Sequence, residues 1–297
     1  MEIVQFEPDM AAGVTRCYNE LIAPMPYSEP VGSESFSDLK RLERQPLAHE
    51  DILAAQEGSA ILGFVHVGVA APATEEWHVK GEPGIIRFLA YRPGQRPVGQ
   101  ALLDSAEDWL RQRERSEVVA GHYNYMYPFY SLPCAHISER ISHVPPLLGM
   151  AGYSVSESEV VFECPDFEPP RVSRPDFEFE VTARKEEVGT SGPRVVVRAK
   201  QGEQEIGECV MVWLGSDSRR PQLSDWCSCS SIHVNDPLQG KGLGKYLLAR
   251  GLAEMRKAGV RHAMISTDWN NWRAYLFYTN FGFRFLDRTF GFRKRLG

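Results

Sequence analysis

The chain has 297 residues, with 33 basic and 39 acidic side chains and a formal net charge of −6 at pH 7. This balance argues against a general nucleic-acid binder, and six cysteines in a chain of this length argue against a disulfide-stapled scaffold. The sequence has no apolar run of about 18 residues that would span a membrane, and its acidic start lacks the pattern of a signal peptide. We therefore expect a soluble, cytoplasmic protein with reduced thiols.

The first half predicts helices, a hairpin and a further helix in chain order. Helices are expected within 10–22 and 36–42. Gly58 and Gly63 are followed by an apolar stretch, which predicts a β-hairpin with Gly58 in its turn. Leucines at helical spacing then predict a helix over 102–110.

The same arrangement recurs in the second half. Gly202 and Gly207 predict a second hairpin with the glycine spacing of the first. Gly63 precedes Gly99 by 36 residues, and Gly207 precedes Gly242 by 35 residues. Two matched elements at nearly one separation indicate a duplicated unit.

A proline-rich segment at 164–171 separates the two halves and predicts a stiff linker. We accordingly expect one domain over 1–165 and another over 172–297. The second domain passes from a strand expected at 177–181 almost directly to one at 194–199, so it has no room for the early helices of the first.

A glycine-rich turn joins a strand that ends near Val234 to a helix that ends near Gly259. The first N–H groups of a helix have no internal partner and carry the positive end of its dipole, and glycines let an anion approach them. The turn therefore predicts a phosphate cradle, although a helix start without a ligand is an equal alternative. Residues 172–297 carry 20 basic and 14 acidic side chains. This positive balance favours the binding of a polyanionic ligand. The cradle would comprise Gln239, Gly240, Lys241, Gly242, Leu243, Gly244 and Lys245.

This strand, the Gln-x-x-Gly-x-Gly turn and the helix resemble the acetyl-CoA motif of the GNAT superfamily, the GCN5-related N-acetyltransferases. A second signature, Asn-x-x-Ala-x-x-x-Tyr-x-x-x-Gly-Phe, begins at Asn271. The resemblance covers 177–297 and, more weakly, 50–153, where Arg96, Gly99 and Ala101 fit the first motif. It implies an α/β (α+β) chain of two GNAT-like units, each a mixed, mostly antiparallel sheet flanked by helices.

The resemblance also implies roles for residues of the second unit. Acetyl-CoA would lie where two parallel strands splay apart, with the backbone of Ile232 and Val234 along the pantetheine arm and the cradle on the pyrophosphate. Asn271 would bind the cofactor arm or fix the end of the second strand. The Val234 N–H, beside an expected bulge, would stabilise the oxyanion, and Tyr278 would protonate the leaving thiolate.

The sequence does not identify the general base. Glu208, Asp225 and His233 are candidates, but each has a more ordinary interpretation as a solvated carboxylate, a strand-end carboxylate or a strand histidine. The strand lacks the carboxylate that many members of the family carry, which favours a water relay.

The first unit has Leu148 in the place of Tyr278 and Pro97 in its turn. We expect it to be catalytically inactive. No metal is expected, because His122, Cys134 and their neighbours fit no zinc spacing.

The function that the resemblance implies is acetyl-CoA-dependent N-acetylation of a small-molecule amine, with no nucleic-acid or membrane partner, by a monomer or homodimer. The alternative is a non-catalytic protein that binds or senses acyl-CoA. An intact Tyr278 and Asn271 favour the enzyme, and the missing base favours the sensor.

Overall fold

A computed structural model describes residues 1–25, 27–28, 30–36, 47–72, 82–130, 135–188, 192–216 and 223–297. The chain divides into two compact units. Unit 1 comprises 1–159 together with 287–297, and unit 2 comprises 160–286. The last eleven residues, which the sequence assigns to the second domain, therefore pack in unit 1.

The described residues of unit 1 begin with a strand and a helix and then alternate strands with two further α-helices. Its elements are β1 (Glu2–Gln5), α1 (Ala11–Ile22), β2 (Leu47–Glu57), β3 (Ala60–Ala70), β4 (Gly84–Tyr91), α2 (Arg96–Arg111), β5 (Glu117–Ala120), β6 (Ile137–Ser138), α3 (Val144–Met150) and β7 (Ser154–Cys164), whose last five residues belong to unit 2.

Unit 2 is shorter at its start, and its described residues form two α-helices. Its elements are β8 (Glu180–Val188), β9 (Gly192–Gln201), β10 (Gln204–Trp213), β11 (Trp226–Val234), α4 (Leu243–Lys257), β12 (His262–Asp268), α5 (Trp272–Phe281) and the start of β13 (Arg284–Arg295). Short 3₁₀ turns cover Pro8–Met10, Ser33–Phe36, Leu214–Ser216 and Asp236–Leu238.

The sheet of unit 1 places β1, β2, β3, β4, β5 and the end of β13 side by side. Of these pairs, β4 with β5 is parallel and the others are antiparallel. β13 enters through Phe292, which lies opposite Ala120 of β5. Helices α1 and α2 bury their apolar faces in the same core as Phe292 and Leu296. The C-terminal segment is thus part of the unit 1 core.

The sheet of unit 2 runs β8, β9, β10, β11 and β12, with only β11 and β12 parallel. Both units therefore have the mixed, mostly antiparallel sheet that we predicted. The apolar stripe of α4 packs on one face of this sheet. It contributes Leu243, Leu247, Leu248, Leu252 and Met255, which meet Val195, Val197, Cys209 and Met211.

Most of the predicted elements are confirmed. Gly58 and Gly202 both have φ of +60° in their hairpin turns, a conformation that glycine adopts without strain. The strand expected at 177–181 was placed too early, because β8 begins at Glu180. Of the helix expected at 36–42, all but Phe36 lies outside the described residues. Among the described helices, none is long and apolar enough to cross a membrane.

Candidate active site

Strands β11 and β12 part within unit 2. Their parallel pairing runs from Trp226 opposite His262 to Cys229 opposite Ile265 and ends there. β11 continues for five residues to Val234, where it pairs only with β10 among the described strands. Because strand residues direct their backbone groups alternately to either side, this part of β11 has a row of N–H and C=O groups that faces the gap.

A β-bulge marks the point where the strands part. The register with β10 passes from Cys229 opposite Met211 to Ser231 opposite Val210, which leaves Ser230 as the extra residue. The bulge expected beside Val234 was therefore predicted in the wrong place. A bulge turns backbone groups out of the ladder, and here it does so at the inner end of the gap rather than near the loop.

Unit 1 repeats this geometry. Pairing of β4 with β5 ends at Ile86, and the register with β3 skips Arg87. Arg87 lies nine residues before Arg96, and Ser230 lies nine residues before Gln239. The two units therefore share a bulge and a strand separation at equivalent positions, which supports the duplication read from the glycines.

The turn after β11 exposes peptide N–H groups. Gly240 and Gly242 have φ of +79° and +86°, and a Cβ added to either would meet nothing within 4 Å. α4 has no side-chain cap at its start, and its first backbone bond runs from Tyr246 N to Gly242 O. Among the described residues, none accepts a hydrogen bond from the N–H of Gly240, Gly242, Leu243, Gly244 or Lys245.

Gln239 fixes the shape of this turn with its side-chain amide. Its Nε2 donates to the Val234 carbonyl and to Asp236 Oδ1, both at 2.8 Å. Its Oε1 accepts from the guanidinium of Arg273 on α5. The amide thus joins the end of β11, the turn and α5.

Helix α5 begins with a side-chain cap. Asn271 Oδ1 accepts from Ala274 N at 3.1 Å, the arrangement that stabilises helix starts. Tyr278, seven residues after Asn271 on the same helix, is 5% exposed. It packs beside Phe162, Phe277 and Phe283. The cap and this packing set the position of the Tyr278 side chain along the gap.

These elements enclose a cleft of about 570 Å³. Among the described residues, its lining contains two cations, Lys245 and Arg273, and no carboxylate, although the whole chain is acidic. Of the predicted residues, Lys241 is exposed outside the lining and Leu243 is buried beneath the turn. The others in the lining are Ile232, His233, Val234, Gln239, Gly240, Gly242, Gly244, Asn271 and Tyr278.

The three candidate bases are not brought together. Glu208 Oε2 accepts from Arg198 Nε at 2.8 Å, so its carboxylate is already engaged. Asp225 precedes β11 at the end away from the cleft, 3.4 Å from His262 Nε2. His233 lines the cleft opposite Glu208 in the β10 register and contacts Asn235 Oδ1 at 3.2 Å. It lies three residues beyond Ser230, roughly 10 Å along the strand.

In unit 1 the corresponding turn has a different structure. α2 already begins at Arg96, whereas α4 begins four residues after the equivalent Gln239. The N–H groups of Val98 and Gly99 donate to the Gln95 carbonyl, and Pro97 has none. An early helical turn has therefore replaced the open cradle.

In unit 1, Tyr91 and His143 pack together near Gly99 of α2. The Tyr91 ring lies so close to Gly99 that an added Cβ would be 2.6 Å from it. His143 Nε2 bonds the Tyr91 carbonyl at 2.7 Å, and the two rings meet edge to face at 4.7 Å. Burial lowers the pKa of His143, which keeps this ring neutral in its apolar setting.

No described group of three or more metal-ligating side chains is placed to hold a metal ion. His122 and His136 both lie near Glu157, at 3.1 and 3.5 Å from its Oε2. Burial lowers the pKa of His136 to about 4. Cys134 lies outside the described residues.

A family model described as an acetyltransferase (GNAT) domain matches residues 192–285. These residues contain β9 to α5 and the whole cleft. This stretch of the chain is therefore similar to a GNAT domain. The GNAT fold supports acyl transfer in general.

Solved structures extend the GNAT fold to the whole chain. A tandem GNAT protein from the clavulanic acid biosynthesis pathway is 13% identical with a TM-score of 0.62, covering 100% of this chain and 98% of that chain. A GCN5-related N-acetyltransferase from Sphaerobacter thermophilus is 17% identical with a TM-score of 0.62, and the match covers 100% of this chain and 96% of that chain.

A third similar structure is a GCN5-related glucosamine N-acetyltransferase region of a fungal multi-domain GH3 beta-N-acetylglucosaminidase. It is 14% identical with a TM-score of 0.67, covering 99% of this chain and 38% of that chain. No curated protein matches the sequence. At these identities the likenesses establish the fold of the chain and nothing beyond it.

Proposed function

We propose that this GNAT protein is an acetyl-CoA-dependent N-acetyltransferase of a small-molecule amine, with its active site in unit 2. One observation carries the proposal. Five peptide N–H groups of the turn and the start of α4 have no acceptor among the described residues, and four of them belong to residues that line the cleft, whose described lining has two cations and no carboxylate. Such an arrangement binds a diphosphate, and acetyl-CoA contains one next to a long pantetheine arm.

The splayed strand accounts for the rest of the donor. The pantetheine arm carries amide groups, and the β11 edge beyond Cys229 offers backbone groups that no described strand pairs with on that side. An extended arm would bind there as an added strand. In this placement the arm runs from the loop along β11 and brings the thioester close to the bulge at Ser230.

The chemistry then follows from the bulge. The amine nitrogen attacks the thioester carbonyl carbon, and the carbonyl oxygen becomes an oxyanion that needs a preorganised donor. Peptide N–H groups at the Ser230 bulge supply it in place of the Val234 N–H. The C–S bond breaks as the tetrahedral intermediate collapses, and the CoA thiolate takes a proton.

Tyr278 is the donor of that proton in this proposal. Tyrosine hydroxyls ordinarily titrate near about 10 and thiols near about 8.5, so a tyrosine is protonated at neutral pH and can protonate a thiolate. The side chain lines the cleft and is held by three aromatic neighbours.

The incoming ammonium must lose a proton before it attacks. Glu208 is engaged by Arg198, Asp225 lies at the far end of β11, and His233 lies roughly 10 Å from the bulge. We therefore propose that water, held beside the exposed Ser230 and Ser231, relays the proton to solvent. The same lack of a carboxylate favours the second candidate, a non-catalytic acyl-CoA sensor.

Substituting Tyr278→Phe is expected to lower kcat about 10²-fold or more while leaving the KM for acetyl-CoA nearly unchanged, because proton transfer acts only in the transition state. Thiol release with a panel of small amines measures both constants. Tyr275→Phe is the matched control, since Tyr275 lies on the same helix and packs against Phe162 at 4.8 Å. Equal turnover by the wild type and Tyr278→Phe would contradict the role of Tyr278 as the proton donor. Binding of CoA without turnover of any amine would favour the sensor.

The described residues at the start of α2 form no open cradle for a second CoA in unit 1. Its helix starts one turn early, and the Tyr91 ring packs against Gly99 of that helix. We propose that unit 1 is a catalytically inactive scaffold and that the chain binds one CoA.

A further inference from the structure

We infer that Arg273 binds the donor's diphosphate from the wall opposite the peptide N–H groups. This inference rests on the proposed function and names a positioning residue for it. Arg273 is the second residue of α5, and its exposed side chain lines the cleft. The two GNAT signatures do not specify a residue type at this position.

The guanidinium is already directed at the turn. It donates from Nη1 to Gln239 Oε1, and Gln239 is the residue at which the glycine-rich turn begins. An arginine has five N–H donors in a planar fork, so the bond to Gln239 leaves donors for two phosphate oxygens. Arg273 can therefore bind phosphate while it keeps its contact with the turn.

Arg273 has no competing anion in the described part of the chain. It forms no salt bridge with a described carboxylate, in contrast to other arginines of unit 2. Those that pair with carboxylates are Arg194, Arg198, Arg256, Arg261 and Arg284. A cation in the first turn of a helix is also unfavourable with respect to the helix dipole. An anion bound between α4 and α5 relieves that repulsion.

The diphosphate is the part of CoA that this geometry selects. Gln239 touches Arg273 and also fixes the turn whose N–H groups form the cradle. A group held by those N–H groups therefore lies beside the guanidinium. The 3′-phosphate is farther along the nucleotide and is the alternative that the experiment must separate.

The test compares CoA with dephospho-CoA, which keeps the diphosphate and lacks the 3′-phosphate, by isothermal titration calorimetry. For Arg273→Ala we expect about 10- to 100-fold weaker binding of both ligands, since charge-assisted hydrogen bonds are lost. Arg273→Lys keeps the charge without the planar fork and is expected to lose less. The KM for acetyl-CoA should rise with kcat nearly unchanged, because phosphate binding is common to ground and transition states.

Arg250→Ala is the matched control. Arg250 is exposed on α4 and lies outside the cleft lining. The Arg250→Ala protein should therefore bind both ligands as the wild type does. Unchanged binding by Arg273→Ala, a loss restricted to CoA, or an equal loss in Arg250→Ala would each overturn the inference while leaving the proposed function intact. A wild-type protein that binds neither ligand would overturn the proposed function itself.

Discussion

Gly242→Val is expected to weaken CoA binding at least about 100-fold while the protein stays folded. Gly242 has φ of +86°, where a β-branched residue costs about 1–3 kcal/mol. Relaxing that strain rotates the N–H groups of the turn away from the cleft. An added Cβ meets no protein atom within 4 Å, so the valine side chain enters the space that the diphosphate would occupy.

Gly202→Val controls for the backbone strain. Gly202 has φ of +60° in the β9–β10 turn, and an added Cβ there also meets nothing within 4 Å. Thermal unfolding should therefore show a similar loss of stability for both variants, whereas calorimetric titration should show normal CoA binding for Gly202→Val alone. If Gly242→Val bound CoA as wild type does, the cradle would have no part in binding.

Phe292→Ala is expected to lower the free energy of unfolding by about 3–5 kcal/mol, as removal of a fully packed phenylalanine does. Phe292 is 4% exposed and belongs to the unit 1 core. It lies on β13 opposite Ala120 of β5, only five residues before Gly297. The end of the last strand, from Asp287 onward, therefore belongs to unit 1, and its packing stabilises that unit.

Phe285→Ala is the control on the same strand. Phe285 is 50% exposed, so its loss should change the free energy of unfolding by no more than about 0.5 kcal/mol. Urea unfolding measures both variants, and hydrogen exchange locates the loss, which should fall in β4 and β5. Equal effects of the two substitutions, or faster exchange confined to unit 2, would contradict the assignment of the C-terminal segment.

The sequence predicted those parts of the fold and site that local patterns encode. Gly58 and Gly202 mark hairpin turns because both need positive φ. The leucine stripe identifies α4, and the glycine-rich turn before it identifies the cradle, because a helix start has N–H groups that its own backbone does not use. Asn271 was singled out by its motif, and its cap on Ala274 is likewise a short-range contact.

The sequence could not predict features that depend on pairing between distant segments. The bulge falls at Ser230 because of the register with Val210 and Met211, and no local signal marks it. The placement of 287–297 in unit 1 depends on which strand edge accepts β13.

Two further contacts of this kind involve side chains. Tyr91 reaches Gly99 across a turn, and Arg273 meets Gln239 from another helix. A basic residue two positions after the capping asparagine was the only sequence signal for the second contact.

Amide-resolved NMR during a CoA titration tests the central claim most directly. The claim predicts that the largest shift changes fall on the N–H groups of 240–245, saturate at one CoA per chain, and leave 96–100 at the start of α2 unchanged. Saturable binding that shifts 96–100, or that leaves 240–245 unmoved, would contradict it.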